Sequence, residues 1–110
     1  MHKLKIYLFL LLTIVTNQSF AEAPTKILVM GDSLSAGYGI DIEDGWVSLL
    51  EKQLTQKNNV QIINASVSGE TSSGGKSRLP MLLNQHQPDI VILELGGNDA
   101  LRGQPLKLLE

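Results

Sequence analysis

Lys26-Ile27-Leu28-Val29-Met30 runs straight into Gly31-Asp32-Ser33-Leu34-Ser35, and the reading of this junction decides the fold. A short apolar run halted by a glycine and small polar residues is the pattern of a buried strand delivered into a turn. The same shape recurs twice. Val60-Gln61-Ile62-Ile63-Asn64-Ala65 leads into a Ser- and Gly-rich stretch over residues 66–75, read as a loop, and Ile90-Val91-Ile92-Leu93-Glu94-Leu95 leads into Gly96-Gly97-Asn98-Asp99. Between the first two strands, Gly37, Gly39 and residues 41–45 form a loop. Trp46, Val47, Leu49, Leu50 and Leu54 then recur at helical spacing, which predicts an amphipathic helix over roughly 46–56. Leu79, Leu82 and Leu83 supply the stripe of a second helix ending near Gln87, with Pro80 either opening its regular part or kinking it. A further helix is expected to start near Pro105.

Strands alternating with helices imply a parallel sheet with right-handed crossovers. The third strand is apolar at nearly every position, so both its faces should be covered, and a central place in the sheet is expected for it. With only three strands, one of its edges would then stand bare, an arrangement prone to aggregation. The chain is therefore expected to be the N-terminal part of a larger α/β domain.

Upstream, Lys3 and Lys5 precede an uncharged, mostly apolar run over residues 6–15, followed by a polar stretch ending Ser19-Phe20-Ala21. Basic, apolar and small-residue regions in that order predict a secretory signal peptide over residues 1–21 and a periplasmic destination. Ten apolar residues fall well short of the roughly 20 that cross a bilayer, so no stable membrane anchor is expected. Residues 22–110 are then a single domain segment. Cleavage removes Lys3 and Lys5 from the nine Lys+Arg and leaves all eleven Asp+Glu, a formal charge of −4. Such a chain carries no basic footprint for nucleic acid. Cysteine is absent, which excludes disulfides, lipoprotein anchoring and a thiol nucleophile.

In an open parallel sheet, ligands bind beyond the carboxyl ends of the strands, and all three turns arrive at that edge. Ser33 can act there as a nucleophile. Gly69 has no side chain, so its N–H can approach a ligand closely. Asn98 has a carboxamide able to donate to a developing oxyanion. The Ser33 N–H, the Gly69 N–H and the Asn98 side chain together would make a three-donor oxyanion hole. Asp32 and Asp99 are read as supporting residues that bond loop backbone or cap a helix. Trp46 is expected in the core. Tyr38, Ile40 and residues 41–44 are read as a solvated loop, and Glu94 is a carboxylate in an apolar strand with no evident partner.

Gly31-Asp32-Ser33-Leu34, the isolated Gly69, and Gly96-Gly97-Asn98-Asp99 resemble the first three sequence blocks of the SGNH (GDSL) hydrolase family. The longer strings 31–39 and 94–99 resemble its periplasmic arylesterase, thioesterase I and lysophospholipase branch. The resemblance implies a flavodoxin-like three-layer α/β/α sandwich, here truncated after the third strand. It also implies Ser33 as nucleophile, Gly69 and Asn98 completing the oxyanion hole, and a monomer acting on small acyl esters or thioesters without metal or cofactor.

The family's Asp-x-x-His block, which supplies the base and its orienting carboxylate, has no match here. His2 leaves with the leader. His86 ends a helix that runs antiparallel to the strands, roughly 20 Å from Ser33, whereas a base must reach to about 3 Å; Asp89 fails for the same reason. The chain alone is therefore expected to be inactive.

Two other readings compete. In one, Gly69-Glu70-Thr71-Ser72-Ser73-Gly74-Gly75-Lys76-Ser77 is a phosphate-cradling loop. The spacing is one residue too long, and Glu70 stands where the first glycine belongs. In the other, the chain binds acyl ligands without turnover. A lipase-type Gly-x-Ser-x-Gly elbow is absent, because Ser35 stands where glycine is required, which excludes the α/β-hydrolase fold.

Overall fold

The computed structural model describes residues 21–108. The predicted leader lies outside the described residues except for Ala21. The elements in order are β1 (Thr25–Gly31), α1 (Ser33–Ala36), a 3-10 turn (Ile42–Asp44), α2 (Trp46–Thr55), β2 (Val60–Asn64), α3 (Ser72–His86), β3 (Ile90–Glu94), α4 (Gly97–Leu101) and a 3-10 turn (Leu106–Leu108).

The three strands form one parallel sheet in the order β2-β1-β3. Ile27 of β1 pairs with Ile62 on one side and Ile90 on the other. The middle strand of these three is thus β1, and β3 pairs on one side only, leaving the bare edge expected of it. Leu28, Val29 and Met30 are fully buried, whereas Ile90, Val91 and Leu93 are 48%, 37% and 58% exposed.

The order has a consequence for the site. The chain steps from β1 to β2 in one direction, then returns past β1 to reach β3. Right-handed crossovers in opposite directions place α2 and α3 on opposite faces of the sheet. Side-chain alternation along β1 turns Leu28 and Met30 to one face, where they form a core with Leu82 of α3, edged by Ile63, Ala65, Leu79 and Leu95. Ile27 and Val29 turn to the face of α2, whose Val47 is buried. In open parallel sheets, a reversal of winding is where ligand crevices form, which points to the carboxyl ends of β1 and β3.

Residues 72–75, expected in a loop, form the first turn of α3. Thr71 caps that turn by accepting the Gly74 N–H at 3.1 Å. Small residues there signal close approach to the sheet rather than a loop. A Cβ on Gly75 would lie 2.6 Å from Leu95 Cδ1 and 3.3 Å from Met30 Sδ. Pro80 lies inside the helix. The turn after β3 is itself the short helix α4, and the element near Pro105 is a 3-10 turn. Among the described residues, no helix is long and apolar enough to cross a membrane.

Candidate active site

β1 ends at Gly31, and Asp32 accepts the Leu34 N–H at 2.9 Å to cap α1, so Ser33 is the first residue of that helix. A first-turn N–H has no intrahelical acceptor, which leaves the Ser33 amide available beside its own hydroxyl. Ser33 is half-buried, at a rim.

Three elements moor this short helix. Ser35 is buried, and its hydroxyl donates to Glu94 Oε1 of β3 at 2.7 Å while accepting the Trp46 indole N–H of α2 at 3.1 Å. Its carbonyl accepts the Asn64 amide of β2 at 2.8 Å. Glu94 therefore has the partner that its sequence context did not reveal. Trp46 is not the core residue expected: it is 37% exposed and holds the network by its polar edge. Ser35→Ala should leave the indole N–H and one Glu94 oxygen unpaired, at a cost of about 1–3 kcal/mol. A urea-denaturation midpoint unchanged from wild type would show that the network contributes nothing.

The loop after β2 lies against the same edge. The Gly31 N–H donates to Ser66 Oγ at 3.0 Å, and the Val67 N–H donates to the Gly31 carbonyl at 3.0 Å. Residues 67–70 then turn, with the Glu70 N–H bonded to the Val67 carbonyl at 3.1 Å. Gly69 is the third residue of that turn, at φ +81°, a conformation that side chains disfavour. It is exposed.

Asn98 lies in α4, and its carboxamide donates to the Glu70 carbonyl at 2.9 Å. One of its two N–H bonds thus fixes its orientation while the second stays available. Gly97 sits close to Asp32, whose Oδ2 lies 3.6 Å from where a Cβ would stand. The structure therefore brings the three turns together in a closed circuit. The 31–33 turn bonds the 66–67 loop, that loop bonds α4 through Glu70, and α4 lies back against Asp32.

Asp99 is fully buried and ties α4 to α3. It accepts the Ser72 N–H at 2.9 Å and the Ser72 hydroxyl at 2.8 Å. The Ser72 N–H holds its carboxyl below the ordinary value against the opposing effect of burial. The Ser72 hydroxyl, its own N–H and the Arg102 charge add to the lowering. A carboxyl whose folded pKa lies below its unfolded value of about 3.9 contributes stability that is present above that value and lost as pH falls through the folded one. The unfolding midpoint should therefore drop more steeply below about pH 4 in wild type than in Asp99→Asn. Parallel curves for the two proteins would refute a role for the ionised form.

His86 and Asp89 lie elsewhere. The Lys26 ammonium donates to the His86 carbonyl at 3.3 Å, and the Lys26 N–H donates to Asp89 Oδ2 at 2.8 Å. Lys26 is at the start of β1, and seven residues of extended chain, at about 3.3 Å each, separate it from Ser33. Both groups are at the amino edge of the sheet, out of reach of the crevice. Gly74, Gly75, Lys76 and Ser77 are all within α3 rather than in a loop. Tyr38, Ile40 and Ile42 are exposed.

Residues 29–109 match the GDSL-like lipase/acylhydrolase family. An arylesterase of Vibrio mimicus is 52% identical over 90 residues, which cover 81% of this chain and 45% of that protein. The thioesterase 1/protease 1/lysophospholipase L1 of Escherichia coli is 50% identical over 95 residues, covering 86% and 44%. A crystal structure of the psychrotrophic esterase EstA from Pseudoalteromonas sp., inhibited by monoethylphosphonate, matches with a TM-score of 0.72 at 49% identity, covering 77% of this chain and 47% of that one. The chain thus spans about half the length of the curated relatives it matches, and the α/β sandwich with a parallel sheet is theirs.

Proposed function

Because the chain belongs to the GDSL-like lipase/acylhydrolase family, we propose that the whole protein is a secreted, periplasmic serine hydrolase of carboxylic esters or thioesters, with Ser33 as its nucleophile. The observation that carries this reading is the closed circuit of hydrogen bonds and contacts that gathers Ser33, Gly69 and Asn98 at the crevice between β1 and β3.

In the proposed reaction, a histidine beyond the 110 residues takes the Ser33 hydroxyl proton as Oγ attacks the acyl carbon. The carbonyl oxygen becomes an oxyanion facing the Ser33 N–H, the Gly69 N–H and the Asn98 carboxamide. Collapse expels the alcohol or thiol, which takes the proton back from the histidine and leaves the acyl group on Oγ. Water, deprotonated by the same histidine, then releases the acid through a second oxyanion. Asp32 and Asp99 take no part in proton transfer: Asp32 Oδ1 accepts the Leu34 N–H, and both Asp99 oxygens accept from Ser72. With His86 at the far edge of the sheet, no histidine among the described residues reaches Ser33, and turnover by residues 22–110 alone is not expected. The substrate is a small acyl ester or thioester, and the protein acts as a monomer without nucleic acid.

A fluorophosphonate tests this reading. The whole protein should be labelled at Ser33, and Ser33→Ala should not react. Labelling that persists in Ser33→Ala would overturn the assignment. Acyl-ligand binding without labelling would favour a binder that does not turn over.

A further inference from the structure

Glu70 lies where the two proposed donors of the second and third turns meet. Its N–H closes the turn that holds Gly69, and its carbonyl accepts the Asn98 carboxamide at 2.9 Å. Any rotation of the Glu70 backbone would therefore displace both the Gly69 N–H and the Asn98 amide. Its side chain is nearly buried, at 10% exposure. Oε1 accepts the Thr71 N–H at 3.2 Å, and Oε2 pairs with Arg78 Nη1 at 2.9 Å. The missing side chain of Gly74 makes the space in which this carboxylate sits.

Arg78 comes from the second turn of α3 and grips the loop at both ends. While Nη1 holds Glu70, Nη2 donates to the Ala65 carbonyl at 3.0 Å, at the point where the chain leaves β2. A planar guanidinium is suited to this because its donors diverge in a rigid fork. The loop over residues 65–70 is thus clamped to a helix that is itself anchored on the sheet through Leu79 and Leu82.

We propose that Glu70 and Arg78 are positioning residues for the oxyanion hole: the pair fixes the loop over residues 65–70, and Glu70 transmits that fixed geometry to the Gly69 N–H and the Asn98 carboxamide. This rests on the reading of Gly69 and Asn98 as donors. Neither side chain of the pair touches the substrate. The clamp acts on where the donors stand, so its loss should weaken stabilisation of the transition state and leave substrate binding nearly intact.

The test is a double-mutant cycle in the whole protein, with p-nitrophenyl butyrate as substrate. Arg78→Gln should lower kcat about tenfold with KM within about twofold, less than the 10²–10³ expected for losing a donor outright. In an Asn98→Ala background the same substitution should lower kcat no more than about threefold, because much of what the clamp positions is already gone. Arg78→Lys should recover part of the loss, since an ammonium can hold Glu70 but cannot reach Ala65 at the same time. If Arg78→Gln folds too poorly to assay, Arg78→Lys takes its place in the cycle. An unchanged kcat, or an equal loss with and without Asn98, would overturn the proposal, the latter by showing a general structural effect. Fluorophosphonate labelling of Ser33 is measured alongside, so that failure of the underlying site reading is seen separately from failure of the clamp.

Discussion

Ser33→Ala is expected to lower kcat of the whole protein by about six orders of magnitude, close to the loss seen when a serine hydrolase is stripped of its nucleophile. No hydroxyl would remain to form the acyl intermediate, and the proposed histidine could activate only water. A residual rate above the uncatalysed one should survive, because the proposed oxyanion donors do not depend on the Ser33 side chain. The fold should survive as well. α1 is held by Asp32, Ser35, Asn64 and Glu94, none of whose hydrogen bonds involves the Ser33 hydroxyl. Wild type and variant should therefore unfold at the same urea concentration while hydrolysis of p-nitrophenyl butyrate nearly vanishes. A variant that keeps a tenth of the wild-type rate would remove Ser33 from the chemistry.

Asn98→Ala carries the second large effect. Loss of one oxyanion donor lowers kcat by about 10²–10³-fold, or roughly 2.7–4 kcal/mol of transition-state stabilisation. KM should move little, because the interaction forms as charge develops on the carbonyl oxygen. The substitution also leaves the Glu70 carbonyl without its donor, so a stability loss of about 1 kcal/mol should accompany it. Asn98→Asp separates the two effects. A carboxylate is nearly the same shape, yet it cannot donate to Glu70 or to the oxyanion, and its charge opposes the one that develops. It should be at least as inactive as the alanine variant. If Asn98→Asp retains wild-type kcat, Asn98 is not a donor.

The turns were legible because each follows an apolar run. Gly31-Asp32-Ser33 and Gly96-Gly97-Asn98-Asp99 sit where β1 and β3 end, and a parallel sheet sends all such ends to one edge. The exclusion of His86 was legible too, since a helix returning antiparallel carries its last residue to the opposite edge. Other features depended on partners distant in sequence. Glu94 finds Ser35 across 59 positions, and Arg78 finds Ala65 across a loop. Nothing in the local composition of an apolar strand or a Ser- and Gly-rich segment names such a partner. The start of α3 was misplaced for a related reason. Glycine and serine signal a loop by local preference, and here the sheet selects them because Leu95 and Met30 leave no room for a larger residue at Gly75.

By itself the sequence determined the alternation of strands and helices, the edge to which the turns are delivered, and the residue types present there, because these follow from local periodicity and turn chemistry. Only the tertiary structure decided that β1 lies between its neighbours, that the winding reverses beside it, and that one residue, Glu70, joins the loop of Gly69 to Asn98. Strand order and hydrogen bonds between remote segments are set by which surfaces bury one another when the whole chain packs, and no local pattern encodes that choice.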